Sequence, residues 1–175
     1  MRYISRFLIS AITSGAVLAA CSATGNGHTD VNTPGNQTAP VLTVTPLLSG
    51  GPLFNFSSGV TTAQRTVIRD DAAWRAMWAV LMQNVSPQPE LPTVDFTKEM
   101  LVVAALGERG SGGFSIVIDS AISTASGAVV VVHITSPGPQ CMNTQVITSP
   151  VDVARIPRVS GTVQFRDRAT VDDCR

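Results

Sequence analysis

Apolar positions along this chain follow two different periods. From Met100 to Pro150 three runs rich in Val and Ile, Met100 to Leu106, Phe114 to Asp119 and Ala128 to Ile134, alternate with turn-forming stretches. Gly107, Gly110, Gly112 and Gly113 mark the first turn, Gly127 the second and Pro137-Gly138-Pro139 the third. Such runs predict strands of one antiparallel sheet, because β-branched side chains suit a pleated, half-buried surface. Val151 to Ile156, entered through Ser149-Pro150, and Thr162 to Phe165 add two more, with Gln64 to Ile68 and Leu53 to Phe56 upstream. Between them the period changes. Trp74, Met77, Trp78 and Leu81 fall at i, i+3, i+4 and i+7, which predicts one face of a helix reaching about Gln83. Asp70 or Asp71 is its expected N-cap, since a short carboxylate accepts the unpaired N–H groups of the first turn. Two tryptophans on that face are expected to pack on the sheet and not to form a ligand platform. Ser86-Pro87-Gln88-Pro89-Glu90-Leu91-Pro92 cannot continue a helix and reads as a stiff crossing. The expected fold is α+β, one main helix packed on an antiparallel sheet of about five or six strands.

The ends of the chain change this picture. Arg2 and Arg6 precede an uncharged apolar run from Phe7 to Ala20 that is too short for a comfortable membrane span. It ends in Leu18-Ala19-Ala20-Cys21, which resembles a bacterial lipobox. That resemblance implies cleavage before Cys21 and acylation of its thiol and new amino group, which would anchor the protein. Ser22 follows where an Asp would resemble an inner-membrane retention signal, so outer-membrane delivery is expected if the host has an outer membrane. Ser22 to Pro52 is dominated by Gly, Thr, Asn and Pro and reads as a flexible tether with a coil span of roughly 30 Å. Val41-Leu42-Thr43-Val44 stands out in it as a short strand or docking segment, and His28 as a solvated lone histidine. The domain division is therefore 1–20 leader, 21–52 lipidated cysteine and tether, 53–175 folded head.

Composition excludes several function classes. Of the 175 residues 44% are hydrophobic and 14% charged, with formal net charge zero and twelve basic residues of which only Lys98 is a lysine. No basic cluster offers a phosphate-binding surface, so a nucleic-acid partner is not expected. The loop Gly110 to Gly113 is followed by a strand, whereas a phosphate loop requires a helix N-terminus behind it. No metal-ligand set or cofactor motif is present, and no cofactor is expected. With Cys21 acylated, Cys141 and Cys174 remain in an oxidising compartment. A bridge between them closes a loop of about 34 residues, adding roughly 3–4 kcal/mol on the chain-entropy model. The competing use of Cys141 is as a nucleophile with His133 as its base, the pattern of a thiol hydrolase.

One family resemblance runs through the folded part. Val94-Asp95-Phe96, Met100-Leu101-Val102-Val103 and Gly107-Glu108-Arg109-Gly110-Ser111-Gly112-Gly113-Phe114-Ser115-Ile116 look like the signature of the PrcB C-terminal domain family. Pro137-Gly138-Pro139-Gln140-Cys141, Thr148-Ser149-Pro150 and Arg155-Ile156-Pro157 continue it, and Trp74 and Trp78 fit its preceding helix, so it covers roughly Val67 to Pro157. Phe114 stands where the family often has Tyr, and Val151 where an aromatic often follows Ser-Pro. The resemblance implies a non-proteolytic accessory of a surface protease complex. The expected function is thus a lipid-anchored, non-catalytic envelope module that contacts a protein partner, with its binding loops at Arg109, Ser111, Gly112, Gly113 and Phe114 and at Gln140 and Thr144. A thiol hydrolase using Cys141 and His133, and a structural lipoprotein that binds cell-wall material, are the alternatives.

Overall fold

The structure, a computed structural model, describes residues 39–48 and 58–174. The leader, Cys21, the tether as far as residue 38 with His28, and the expected strand Leu53 to Phe56 lie outside the described residues. Within them the order is β1 (Val41–Leu42), β2 (Thr45–Pro46), β3 (Gln64–Ile68), α1 (Asp71–Leu81), β4 (Glu99–Ala105), β5 (Ser115–Thr124), β6 (Gly127–Pro137), β7 (Val151–Pro157) and β8 (Thr162–Asp172).

These strands build two four-stranded sheets, β1-β5-β6-β8 and β2-β7-β4-β3. The expectation of one helix on a single antiparallel sheet of five or six strands is therefore wrong, and the chain is mostly β. The physical reason lies in β4. Its residues Met100, Val102 and Ala104 enter one apolar cluster with Ile116, Ile118, Val130 and Val132 of the facing sheet. Its alternate residues Leu101, Val103 and Ala105 enter another with Trp74, Trp78 and Leu81 of α1. A strand buried on both faces reads as a continuous apolar run, and one 11-residue helix covers only one of those faces. The second sheet covers the other, giving three layers.

The second surprise is β8. It joins β6 in parallel, with Gly127 opposite Thr162 and Pro137 opposite Asp172. A parallel neighbour requires a crossover, and β7, which lies in the other sheet, provides it. Close approach at the start of β8 explains Gly127, whose φ is +147° and where a Cβ would stand 2.0 Å from the Thr162 carbonyl oxygen.

The open long sides of the sandwich are tied in two ways. On one side the chain from β1 to β2 pairs first with β5 and then with β7, so the far part of the segment read as tether is built into both sheets. On the other side Arg65 of β3 reaches Asp167 of β8 in a bidentate pair, at 3.1 and 2.8 Å. Its remaining nitrogen donates to the carbonyls of Gln64 and Ala105.

The helix itself agrees with the periodicity. Asp70 is the N-cap, its carboxylate accepting the Ala73 N–H at 2.8 Å. Trp74, Trp78 and Leu81 are buried, and the two indoles meet edge to face at 5.3 Å. Their N–H groups donate to the carbonyls of Pro92 and Pro89 in the crossing segment. The tryptophan face is core.

Candidate functional site

Register decides where the loops go. Ala105 at the end of β4 pairs with Val151 at the start of β7, and Ser115 at the start of β5 pairs with Thr135 near the end of β6. The β4–β5 loop and the β6–β7 loop each pass from one sheet to the other, so both lie at the same end of the sandwich. The structure thus brings together the two segments in which the candidate residues were placed.

Their contacts are specific. Arg109 and Thr148 exchange backbone hydrogen bonds at 2.7 and 2.9 Å, an isolated antiparallel bridge. The Gly112 N–H donates to the Thr144 carbonyl at 2.9 Å, and the Thr148 hydroxyl to the Ser111 carbonyl at 3.0 Å. Gly113 sits at φ +88°, and a Cβ there would stand 2.3 Å from Asn143 Oδ1. Only glycine meets both demands, the left-handed backbone and the close approach. Phe114, half-buried, packs against the apolar cluster between the sheets, and the Arg109 guanidinium lies over its ring at 5.6 Å, within cation–π range. Gln140 is exposed in the turn before Cys141.

Three further ties hold this end. Ser58 and Ser149, both buried, each donate a hydroxyl to the other's backbone carbonyl. The Glu108 N–H donates to the Thr61 carbonyl at 3.0 Å. Cys141 and Cys174 are bonded, with S–S 2.00 Å and Cα–Cα 5.3 Å, which fastens the β6–β7 loop to the chain end beyond β8. The expected bridge is present in the structure.

What the loop shows to solvent was not anticipated in full. Among the described residues Met142 is 102% exposed, Ile147 71% and Val146 50%. Met142 falls inside the segment flagged from its Pro-Gly-Pro turn, whereas Val146 and Ile147 carry no periodic signal. Three large apolar side chains are thus held out in water on one covalently pinned loop.

The thiol-hydrolase pair is not assembled. The Cys141 sulfur is joined to Cys174, while the His133 ring bonds the Thr170 hydroxyl at 2.9 Å across β6 and β8. Thiol chemistry needs a thiolate. Among the described residues no group of three or more His, Cys, Asp or Glu has metal-binding geometry, and no helix is long and apolar enough to cross a membrane.

Two carboxylates depart from their ordinary value. Asp152 of β7 is half-buried, and desolvation raises its pKa, opposed by the N–H groups of Ile118 and Val153. The Ile118 N–H reaches its Oδ2 at 2.7 Å, next to the register shift between Ile118 and Ser120 in β5. Asp152 thereby ties the two sheets. Asp95 is lowered, first by the Thr97 hydroxyl and then by Lys98, and it organises the turn into β4.

The fold and this end define a two-sheet β protein with one covering helix and a pair of cross-bridged inter-sheet loops. Residues 100–157 match the family model described as PrcB C-terminal. The match covers the stretch from β4 through β7 and bears out the resemblance carried by the motifs, over a shorter span than Val67 to Pro157. Neither a curated protein nor a solved structure matches the chain.

Proposed function

We propose that the chain is a non-catalytic accessory module, held in the cell envelope by lipid on Cys21, that docks a protein partner through the paired loops. The observation that carries the reading is the exposure of Met142, Val146 and Ile147 on a loop fixed by a disulfide, a backbone bridge and Gly113. Rigid loops on a sheet scaffold lose little entropy on binding, and apolar anchors with one nearby cation, Arg109, suit a protein surface. The PrcB C-terminal match supports a secreted or surface protease as the partner class.

The test places a photo-crosslinking amino acid at Met142, at Ile147 and, as a control, at Val117 on the outer face of β5, in cells that make the full chain. The expected result is one adduct of the same mass from both loop positions and none from Val117. Adducts from all three positions, or from none, would overturn the assignment. Metabolic labelling with a fatty-acid analogue, lost in Cys21→Ser, tests the anchor.

A further inference from the structure

A different surface lies along β3. This strand is the outermost of its sheet, and no described strand pairs with its outer edge. Beside it runs a cleft of about 430 Å³ walled by Gln64, Thr66 and Ile68 on the strand and by Ala73, Ala76, Met77 and Val80 on α1. A smaller hollow, about 220 Å³, continues it past Gly59 to Thr62 toward the loop end.

The lining carries no charge, and the structure shows why. Arg65 is drawn to Asp167 and the Gln64 and Ala105 carbonyls. Arg69 is drawn to the carbonyls of Val159 and Gly161. Both cations that the sequence places at this edge are therefore held out of the cleft. The helix contributes small apolar side chains where a solvent-facing helix ordinarily carries charge. Ala73, Ala76 and Val80 are exposed there.

The other edge on this side, β8, is different. It carries Arg166, Asp167 and Arg168 in succession, and charge on an edge strand prevents strand addition. Antiparallel self-pairing about Asp167 would set Arg166 opposite Arg168, like against like. One edge is thus guarded by charge, and among the described residues no strand covers the other.

The geometry points to β3 and α1 as a docking groove for an extended, uncharged segment of a partner polypeptide, which adds to the edge of β3 as a further strand. A row of backbone donors and acceptors is satisfied along its length only by another strand. Five residues of β3 offer about 16 Å of pairing at roughly 3.3 Å per residue. The neutral lining selects side chains without charge, and Ala73 and Ala76 leave room for apolar ones at alternate positions. This groove is independent of the paired-loop reading.

The experiment pans a displayed library of random heptapeptides on the immobilised full chain, then titrates the enriched peptides by fluorescence anisotropy. The expected sequences have an uncharged, proline-free centre with apolar residues at alternate positions. Ala76→Arg, at an exposed position where arginine is a good helix former, is expected to weaken them at least tenfold. Val117→Ser is expected to leave binding unchanged, and amide exchange in Gln64–Ile68 is expected to slow on binding. Ala73→Lys replaces Ala76→Arg if far-ultraviolet circular dichroism shows that variant unfolded. The proposal is overturned by no enrichment over panning on the Ala76→Arg protein, by binding insensitive to the groove variant, or by a wild-type dimer that Ala76→Arg dissociates.

Discussion

Asp152 offers a sharp test of how the two sheets are joined. Its carboxylate lies between them and accepts the Ile118 N–H at 2.7 Å. β1 pairs only as far as Leu42 opposite Ala121, so no described strand reaches Ile118 on that edge. A buried donor left without a partner costs about 1–3 kcal/mol, which is the expected loss in Asp152→Ala. Asp152→Asn keeps an acceptor for Ile118 and removes the charge, so it is expected to stay within about 1 kcal/mol of the parent at neutral pH.

The pH dependence separates charge from hydrogen bond. Burial raises the folded pKa of Asp152 above the ordinary 3.8. Between those two values the folded state holds more protons than the unfolded one, so this group makes stability fall as pH rises. The loss begins near 3.8 and is complete above the folded pKa. Asp152→Asn lacks that loss, so its stability relative to the parent should rise across this window and then level off. Urea titrations at half-unit steps from pH 3.5 to 7 measure the difference, and amide exchange reports Ile118 directly. If Asp152→Ala matches the parent and Ile118 stays protected, the cross-sheet tie is not made. If the advantage of Asp152→Asn shrinks with rising pH, the folded carboxyl is depressed and the burial argument fails.

Other expectations follow from the same geometry. A double-mutant cycle on Arg65→Ala and Asp167→Ala should give a coupling near 1 kcal/mol, with Arg65→Ala alone costing more because two backbone carbonyls lose their donor; additive effects in denaturation would dismiss the pair. Cys174→Ser should cost about 3–4 kcal/mol for a loop of this size, and an unchanged urea midpoint without reductant would mean that the bridge contributes nothing. Gly113→Ala should cost roughly 1–2 kcal/mol from its left-handed backbone and should reduce the Met142 crosslink well beyond the fraction unfolded. Parent-like crosslinking in that variant would show that the loop pairing is not needed for docking.

How much of this was legible depended on what each signal measures. Period 3.6 marked α1 because Trp74, Trp78 and Leu81 all face one layer. Alternation in Gln64 to Ile68 and the Val- and Ile-rich runs located β3 to β7, yet such signals do not report which sheet a strand joins. β4 is apolar at every position from Met100 to Ala105 because both faces are buried, and such a run does not say that a second sheet covers one of them. β8 is expected only over Thr162 to Phe165. It continues to Asp172 because β6 runs beside it. Val41 to Val44 stands out in the tether as a short strand or docking segment, and the register with β5 and β7 resolves it into two two-residue strands, Val41–Leu42 and Thr45–Pro46. The loops were found because glycine and proline carry a backbone meaning. Val146 and Ile147 were missed because an apolar residue without a period has no meaning until its exposure is seen.

The direction of the chain gives the parts a common orientation. The Pro40 carbonyl accepts the Ser123 N–H, so the described chain enters beside the β5–β6 hairpin. β1 and β2 then run toward the opposite end, since Leu42 pairs with Ala121 and Pro46 with Ala154. That opposite end is where Arg109 meets Thr148 and where Met142 and Ile147 project. A chain anchored upstream of residue 39 therefore enters the head at one end and presents the paired loops at the other. Pull on such an anchor arrives at Val41–Leu42 and Thr45–Pro46, which load both sheets together, while the loop end is held by its own bridge, serine pair and disulfide. The loop end is thus held independently of the point at which the described chain enters the head.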